Sequence, residues 1–348
     1  MKARVYLDWN ATAPLRAEAR EAMLRAMDAV GNPSSVHAEG RAARAIVESA
    51  RRQLAEAAGL SGGDIVFTSG ATEAAALALR GRDCAAAEVE HECVAAWAGK
   101  ELAADRDGRV SVDTPGAAAL QVANGETGVI QNLPKGLHFT DAVQAFGKIP
   151  FGFAWTGART AALSAHKFGG PKGIGALLMT PGFEVQAQLL GGGQEMGRRS
   201  GTENVIGIAG AGAAAQAAQR DLDAGVWEQV EKLRDDLEER LRAEAPELVI
   251  FGKGGARLPN TSNFAVPGWK GETQVMQMDL AGFAVSAGSA CSSGKVKVSR
   301  VLQAMGFDDV TASSAIRVSM GPTTTAAEVM AFGDTWIEHY RRWRARAA

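Results

Sequence analysis

One lysine of this sequence stands in a setting that suits covalent chemistry on a carbonyl compound. Lys167 follows His166, and a glycine-rich turn comes directly after it, in the segment SAHKFGGPKG at 164–173. An amine can form a Schiff base when its pKa is lowered, and a nearby cationic group lowers it. A lysine next to glycines is also commonly an ordinary surface residue, so the segment alone leaves both interpretations open.

Three other side chains could assist such an amine. Asp141 and Gln144 stand in DAVQ after the short apolar run 138–140, and His91 follows Glu90 near another predicted strand end. A carboxylate facing a pyridinium nitrogen keeps that nitrogen protonated and makes the ring an electron sink. A histidine can stack on a ring or shuttle a proton. A helix-capping aspartate and a structural histidine are the alternatives.

The turn SGAT at 69–72 lies between a predicted strand and a predicted helix. Small residues there expose backbone N–H groups at a helix N-terminus, which suits a phosphate, although an ordinary capping turn has the same composition. Apolar runs at 119–123, 138–140 and 161–165 also end in polar residues. Because open α/β sheets bind ligands at the carboxyl ends of their strands, the sequence predicts a ligand site at such an edge.

Cys291 lies among small residues in SAGSACSSG at 286–294, which predicts an accessible loop and a reactive thiol. Cys84 and Cys93 stand among alanines and valine and are interpreted as core or near-core thiols. The three scattered cysteines give neither a disulfide framework nor a CxxC metal pair, so we expect no metal centre and a reducing cytoplasm. Arg317, in AIRVSMG, could hold a substrate carboxylate with two hydrogen bonds or form a structural salt bridge.

The bulk composition is that of an ordinary globular protein. The 348 residues are 46% hydrophobic and 22% charged, with a formal net charge of −2, so the basic excess of nucleic-acid-binding proteins is missing. The first residues, MKARVYLDWN, lack the features of a signal peptide. No stretch reaches the ~18 consecutive apolar residues of a membrane span. We therefore expect neither a nucleic-acid partner nor a membrane.

Alternating strand-like and helix-like segments predict an α/β fold with a mostly parallel sheet. Helices are predicted at 14–30, 40–58 and 71–79, and a buried strand at 64–68. A charged helical stretch from Trp227 begins a region of different character that ends in an amphipathic helix. We predict a large domain at 15–220 and a small domain formed by 1–14 and 221–348.

Taken together, these segments resemble the cysteine desulfurases, class V aminotransferases with the fold-type I architecture. The matching segments run through most of the chain in the family's order. They are YLDWNATAP at 6–14, GNPSSVH at 31–37, FTSGATEA at 67–74, EH at 90–91, NGETG at 124–128, TDAVQAFGK at 140–148, SAHKFGGPKG at 164–173, GGGQEMGRRSGTEN at 191–204, RLPNTSN at 257–263 and SAGSACSSG at 286–294. The resemblance implies a large domain with a mainly parallel sheet flanked by helices, and a smaller α+β domain that carries a mobile cysteine loop.

The resemblance also implies a pyridoxal phosphate cofactor and a role for each residue around its ring. Lys167 would hold the cofactor as a Schiff base, and Asp141 would pair with the ring nitrogen. Gln144 would pair with the ring hydroxyl, and His91 would stack on the ring. Lys167, His91 and Cys291 would be the catalytic residues, with Cys291 carrying sulfur as a persulfide.

The remaining matches concern the phosphate and the substrate. The phosphate would be held by Ala71, Thr72, Ser164 and His166, with Thr202 reaching in from the other subunit of a homodimer. Asn10 and Arg317 match positions that bind the substrate carboxylate. The family resemblance thus implies a homodimer in which both subunits contribute to each site.

These roles predict a cysteine desulfurase, which takes sulfur from L-cysteine onto Cys291 and leaves L-alanine. Lys167, displaced by the substrate, would take the Cα proton, and the Cys291 thiolate would attack the sulfur. The SAGSAC form resembles the group whose long loop delivers sulfur to scaffold proteins, and the RxGHHC motif of the other group is absent. Iron–sulfur cluster assembly is the expected destination, with tRNA thiolation and cofactor biosynthesis as alternatives.

Some segments depart from the family pattern. Gly125 stands where the family usually has the second residue of Asn-Asn-Glu, so substrate orientation is weakened unless a neighbour compensates. Residues 131–137 are too few for a crossover helix before DAVQ, which predicts an extended loop there. Similar shortening occurs at 80–88 and 111–120, and the segment KVKVSR that soon follows Cys291 is more basic than usual.

Two other functions remain open at this point. One is another class V pyridoxal phosphate enzyme, such as a selenocysteine lyase or an aminotransferase, although an aminotransferase needs no thiol like Cys291. The other is a partner-dependent, weakly active subunit that has lost part of its site at Gly125. The presence of Lys167, Asp141 and Gln144 argues against a complete loss of activity.

Overall fold

The structure is a computed structural model that describes residues 4–288 and 298–347. Helices and strands are interspersed through the first two-thirds of the chain. The helices are α1 (Ala17–Met27), α2 (Ala38–Ala57), α3 (Ala71–Leu79), α4 (Glu92–Ala95), α5 (Phe153–Thr156), α6 (Val205–Asp223), α7 (Val226–Glu244), α8 (Gly271–Leu280), α9 (Arg300–Ala304), α10 (Asp309–Ser313) and α11 (Ala326–Ala347). The strands are β1 (Val5–Tyr6), β2 (Asp64–Thr68), β3 (Cys84–Ala87), β4 (Ala98–Leu102), β5 (Phe139–Asp141), β6 (Thr160–Ser164), β7 (Gly175–Met179), β8 (Val249–Ile250), β9 (Thr261–Ala265), β10 (Phe283–Ala284) and β11 (Ala315–Ser319).

A four-stranded sheet with the order β2-β7-β6-β5 forms the centre of the fold. Strands β5 and β6 are parallel, whereas β7 is antiparallel to both of its neighbours, β2 and β6. Strands β2, β5 and β6 therefore point the same way, and their carboxyl ends meet at one edge. The predicted α/β fold is confirmed. The direction of β7 could not be foreseen, because a buried strand has the same apolar pattern in either direction.

The predicted strand at 119–123 forms only isolated bridges. Its backbone lies between β3 and β5, since Ala119 N–H donates to Ala85 O at 2.8 Å and Val122 N–H donates to Asp141 O at 2.8 Å. The bridges that pair this segment with β3 and with Phe139 are parallel. The segment therefore connects β3, and the residues that follow it, to the edge of the four-stranded sheet.

The predicted helices are present with small differences at their ends. Helix α3 has the predicted bounds, while α2 begins at Ala38 because the ring of His37 accepts a hydrogen bond from the Gly40 N–H. Helices α1 and α2 pack closely on the Gly- and Ala-rich α6. A Cβ placed on Gly212 of α6 would lie 2.7 Å from Ala50 Cα, so this packing requires glycine.

The chain after α6 builds a separate hydrophobic core. Helices α7 and α11 and the antiparallel sheet of order β11-β9-β8 surround the fully buried Trp269, Trp336 and Tyr340. Leu7, which follows β1, packs into this same core. The proposed domain boundaries group these residues in the same way, and the division itself stays a prediction.

The shortened connections are short in the structure as well. Residues 131–137 form neither helix nor strand, as their number predicted, and α4 is a single turn.

Across residues 4–288 and 298–347, no helix has both the length and the apolar character that crossing a membrane requires.

Candidate active site

The carboxyl ends of three parallel strands bring the predicted cofactor residues together. Thr68 at the end of β2 and Ser164 at the end of β6 both pair with Gly175, the first residue of β7. Asp141 at the end of β5 pairs with Ala162, two residues before Ser164. The SGAT turn, the DAVQ segment and Lys167 therefore lie along one edge, as the sequence indicated.

The SGAT turn leaves the N-terminus of α3 open. No side chain of the described residues caps this helix, whose N-cap is Gly70, and a Cβ on Gly70 would meet no atom within 4 Å. A Cβ on Gly175 would lie 2.4 Å from the Gly70 carbonyl carbon, so glycine is needed there for β7 to approach. Ala71 is partly exposed and Thr72 is exposed, so their backbone N–H groups face an accessible space that suits an anion.

Two neighbours of this turn are a buried hydroxyl and a neutral imidazole. Ser164 is buried, and His166 is partly buried with Nδ1 3.2 Å from Thr12 Oγ1. Burial, assisted by the positive charges of Lys167 and Lys172, lowers the pKa of His166 to about 4. His166 can therefore contribute an N–H hydrogen bond at neutral pH but no positive charge, and it is not the cationic neighbour that Lys167 requires.

Asn10 is the point on which the polar groups of the site converge. Its backbone O accepts from Lys167 Nζ at 2.6 Å and from Gln144 Nε2 at 3.0 Å. Its side-chain Nδ2 donates to Gly125 O at 3.2 Å and to Thr261 Oγ1 at 2.8 Å. Asn10 is 1% exposed, so a direct contact with a substrate would require one of these bonds to be exchanged, and its substrate role stays a prediction.

Asp141 is a buried carboxyl group with a specific hydrogen bond. Its Oδ1 accepts from the Val143 N–H at 2.8 Å. Burial raises the pKa of Asp141, against the opposing effects of that N–H and of the positive charges of His91 and Lys167. A protonated ring nitrogen beside this carboxyl group would favour its ionised form, which is the pairing that the resemblance implies.

Glu90 is a second buried carboxyl group near Asp141, and the sequence analysis gave it no role. Its Oε1 accepts from the Gln121 N–H at 2.6 Å, while its Oε2 has no hydrogen-bond partner among the described residues. Burial and the negative charge of Asp141 raise the pKa of Glu90 well above its usual value. Only its position before His91 in the EH segment could have drawn attention to it.

His91 lies at the mouth of the site with its ring exposed. It caps the single-turn helix α4, since Nδ1 accepts from the Cys93 N–H at 3.2 Å, and the Cys93 thiol lies 3.0 Å from the same nitrogen. Both of these contacts are made by Nδ1 of the ring. Cys93 is partly exposed and Cys84 is buried, in agreement with their interpretation as core or near-core thiols.

Arg317 is a buried guanidinium group on β11, an outer strand of the three-stranded sheet of order β11-β9-β8. It donates to Asp8 Oδ1 at 2.7 Å and to Gly125 O at 3.0 Å, and its Nε has no partner within the described part of the chain. Asp8 also accepts from Ser286 Oγ at 2.8 Å. An unpartnered buried N–H is costly, so an anionic ligand that reaches Nε would be stabilised there.

The space left by Gly125 is filled by Gln144. A Cβ on Gly125 would lie 3.2 Å from Gln144 Nε2 and 3.4 Å from Gln144 Cγ. Of the two outcomes considered for this departure, the structure thus favours compensation by a neighbour. Lys148, which the sequence analysis left without a role, donates to Gln144 Oε1 at 2.5 Å and holds that side chain in place.

Two of the predicted residues remain, Thr202 and Cys291. Thr202 is exposed on the segment between β7 and α6, as a residue that serves another subunit would be. Cys291 lies outside the described residues, and its role stays a prediction. Ser299, the second described residue after that gap, is anchored to the site, because its Oγ donates to Glu126 Oε2 at 2.5 Å.

These residues supply a chemically suitable group for each part of pyridoxal phosphate. An open helix N-terminus beside Gly70 can take the phosphate, the buried carboxyl group of Asp141 can take a protonated ring nitrogen, and Lys167 supplies the amine. The three groups follow the carboxyl ends of β2, β5 and β6, three strands of one sheet that point the same way, with β7 between β2 and β6. Each reactive part of the cofactor would therefore meet a different group of the protein: the ring nitrogen Asp141, the phosphate the N-terminus of α3, and the aldehyde Lys167.

Comparison with known proteins gives consistent matches over nearly the whole chain. Residues 5–332 match the family model described as aminotransferase class V. The chain is 40% identical to the cysteine desulfurase of Cereibacter sphaeroides, over 94% of this chain and 93% of that protein. It is 37% identical to the cysteine desulfurase IscS of Dictyoglomus turgidum, over 94% and 92% respectively. The crystal structure of a NifS-like protein from Rickettsia africae has a TM-score of 0.89 at 31% identity, with 97% of this chain and 99% of that chain covered.

Proposed function

The chain belongs to the class V aminotransferase family, and we propose that it is a pyridoxal-phosphate-dependent cysteine desulfurase. It removes sulfur from L-cysteine, leaves L-alanine, and carries the sulfur as a persulfide on Cys291. The observation that carries this proposal is the placement of Lys167, Asp141 and the open N-terminus of α3 on one sheet edge. When bound there, the cofactor supplies an electron sink for the carbon that loses its proton.

The protein's own residues bind and orient the substrate around that sink. Arg317, with its unpartnered buried Nε, is the donor for the substrate carboxylate. Lys167 would hold the cofactor and is the base for the proton on the substrate Cα. The exposed ring of His91 would stack on the cofactor ring and shield one of its faces from water.

The sulfur transfer is a displacement at the substrate sulfur atom. The Cys291 thiolate attacks this sulfur, an S–S bond forms, and the C–S bond breaks with its electron pair moving to the carbon fragment. Protonation of that fragment gives L-alanine, so no external oxidant or reductant is consumed. An acceptor protein or thiol then takes the sulfane sulfur, and a scaffold protein of iron–sulfur cluster assembly is the acceptor that we propose.

The functional unit is a homodimer in the cytoplasm. The homodimer is supported by exposed apolar side chains on two segments. They are Val30 and Val36 on the first segment, and Leu189, Leu190 and Met196 on the second. Gln194 Nε2 lies 3.4 Å from Ser34 Oγ, so the two segments are neighbours and their apolar side chains lie near each other. A second copy covering them would present its own Thr202 to this subunit, in which the open N-terminus of α3 is the site that we propose for the phosphate.

A first experiment measures alanine and sulfide from L-cysteine and a reducing thiol, together with the visible spectrum of the purified protein. We expect equal amounts of both products and a visible band. Cys291→Ala should keep the band and lose sulfide release, and Lys167→Ala should lose the covalent band. Undiminished sulfide release by Cys291→Ala would contradict the carrier role, and an unchanged band in Lys167→Ala would contradict the assignment of the lysine.

A further inference from the structure

Lys148 is a buried lysine within the site that the proposed reaction does not use. It is 2% exposed, and Nζ donates to Asn10 Oδ1 at 2.9 Å and to Gln144 Oε1 at 2.5 Å. Burial, together with the positive charges of Lys167 and Arg317, lowers the pKa of Lys148 well below its usual value. Lysine is rarely buried in this way, because desolvation of its amino group is costly.

The contacts of Lys148 help to fix the orientation of two side-chain amides, those of Gln144 and Asn10. An amide has an oxygen that accepts and an NH₂ group that donates, and the amino group of lysine donates whether or not it is protonated. With Oε1 of Gln144 held by Lys148, Nε2 of Gln144 points to the Asn10 backbone oxygen, which Lys167 Nζ also contacts. A reversed Gln144 amide would place its NH₂ group against the donor of Lys148.

Asn10 is fixed by the same rule. Its Oδ1 accepts from Lys148 Nζ at 2.9 Å and from Asn260 Nδ2 at 3.0 Å, so its NH₂ group must face Gly125 O and Thr261 Oγ1. Lys148 therefore helps to fix the direction of two amides, and the donor of one of them, Gln144 Nε2, shares the Asn10 backbone oxygen with Lys167 Nζ.

We propose that Lys148 is a positioning residue for the cofactor, which holds the NH₂ end of Gln144 on the side of the site where Lys167 lies. From there Gln144 can donate to the ring hydroxyl of pyridoxal phosphate. This inference rests on the proposed function and deepens it, because it assigns a residue that acts through Gln144 and not on the reacting atoms.

A double-mutant cycle on cofactor affinity tests this role. The dissociation constant for pyridoxal phosphate is measured by titrating the apoprotein of the wild type, Lys148→Met, Gln144→Met and the double variant, followed by visible absorbance. Each single change should weaken binding about tenfold, the effect of one hydrogen bond to a charged or buried group. The double variant should bind within about twofold of Gln144→Met alone, because Lys148 has nothing left to orient.

Lys135→Met is the matched control, since it removes an exposed lysine by the same substitution and should leave the affinity unchanged. If Lys148→Met does not fold, as judged by circular dichroism, Lys148→Gln carries the same cycle. Single effects that multiply, or a Lys148 variant that binds as tightly as the wild type, would overturn the positioning role. A wild-type apoprotein that does not bind the cofactor would instead overturn the proposed function, so the two failures are distinguishable.

Discussion

At the residue scale, Gly125 lacks the side chain that the family usually has at this position, and Gln144 occupies the space beside it. Gln144, which takes the space beside Gly125, is held at both ends of its amide by Lys148 and by the Asn10 carbonyl. A new Cβ would lie 3.2 Å from Gln144 Nε2, closer than carbon and nitrogen normally approach. Because Gln144 cannot yield without losing these bonds, restoring a side chain at position 125 does not simply restore a contact.

We therefore expect Gly125→Asn to destabilise the apoprotein by about 1–3 kcal/mol, the usual effect of overpacking a filled site. Urea unfolding followed by circular dichroism measures the change. Gly116→Asn serves as the control, because a Cβ on Gly116 meets no atom within 4 Å. A Gly125→Asn protein as stable as the wild type and more active would show that the missing amide matters more than the contact with Gln144.

The buried carboxyl group of Glu90 predicts how the folding stability of the protein depends on pH. Its pKa is raised by burial and by Asp141, so the folded protein keeps a proton that the unfolded chain releases above its ordinary pKa of 4.5. The folded state thus binds more protons than the unfolded state there, and stability falls as the pH rises through this window. Glu90→Gln, which mimics the protonated group, removes that loss.

The variant Glu90→Gln should match the wild-type apoprotein in stability near pH 4 and exceed it increasingly as the pH rises above 4.5, up to the raised pKa of Glu90 in the folded protein. Unfolding midpoints in urea across this range measure the difference. Glu101→Gln, on the exposed side of β4, should give parallel curves for variant and wild type. A constant difference between Glu90→Gln and the wild type at all pH values would mean that Glu90 ionises normally in the folded protein.

At the element scale, a buried ion pair helps to anchor the segment from 191 to 204, beside the ion pairs of Arg198 and Arg199. Glu195 has a left-handed backbone with φ of 49°, and its carboxylate accepts from Arg51 of α2 at 2.8 and 2.9 Å and from the Phe67 N–H of β2 at 2.9 Å. The Glu195 side chain is only 3% exposed. This carboxylate therefore attaches the segment that carries Thr202 to both α2 and β2.

Glu195→Ala should lower the stability of the apoprotein by about 3 kcal/mol, because it leaves Arg51 largely buried without its main partner. The exposed pair of Lys232 and Asp236 on α7 provides a control, where Asp236→Ala should cost about 0.3–0.5 kcal/mol. Both changes are measured by urea unfolding under the same conditions. Equal losses for the two variants would contradict the special role of the buried pair.

The sequence allowed most elements and the ligand edge of the sheet to be predicted. Helix α3 and strand β2 were placed correctly, because each is a short apolar run bounded by Gly or polar residues. The antiparallel direction of β7 was not predictable, since strand direction depends on distant pairing. Lys148 was missed for a related reason: a lysine four residues after Gln144 is ordinarily a surface residue, and only the tertiary fold buries it.

At the scale of the whole molecule, the apolar side chains exposed on the segments at 30–36 and 189–196 predict self-association. We expect the wild type to be a dimer and the double variant Val36→Glu and Leu190→Glu to be a monomer, because these side chains are 88% and 84% exposed in the single chain. Size-exclusion chromatography with light scattering measures the mass. Loss of the partner's Thr202 should also weaken cofactor binding by about tenfold.

Leu280→Glu is the control for this experiment, since Leu280 is 86% exposed on α8, far along the chain from both segments. It should leave the mass and the cofactor affinity unchanged. A wild-type protein that is monomeric at micromolar concentration, or a double variant that remains dimeric, would contradict the assignment of this face.

The hydrogen bonds of Asn10 also have a consequence for synthesis on the ribosome. Its backbone N–H donates to Ser319 Oγ, 309 residues later in the chain, and its other partners are spread between Gly125 and Thr261. At translation rates of about 5–20 residues per second, roughly 15–60 s pass before the last of these partners is made. The nascent chain therefore cannot complete the hydrogen bonds of Asn10 before Ser319 has been made.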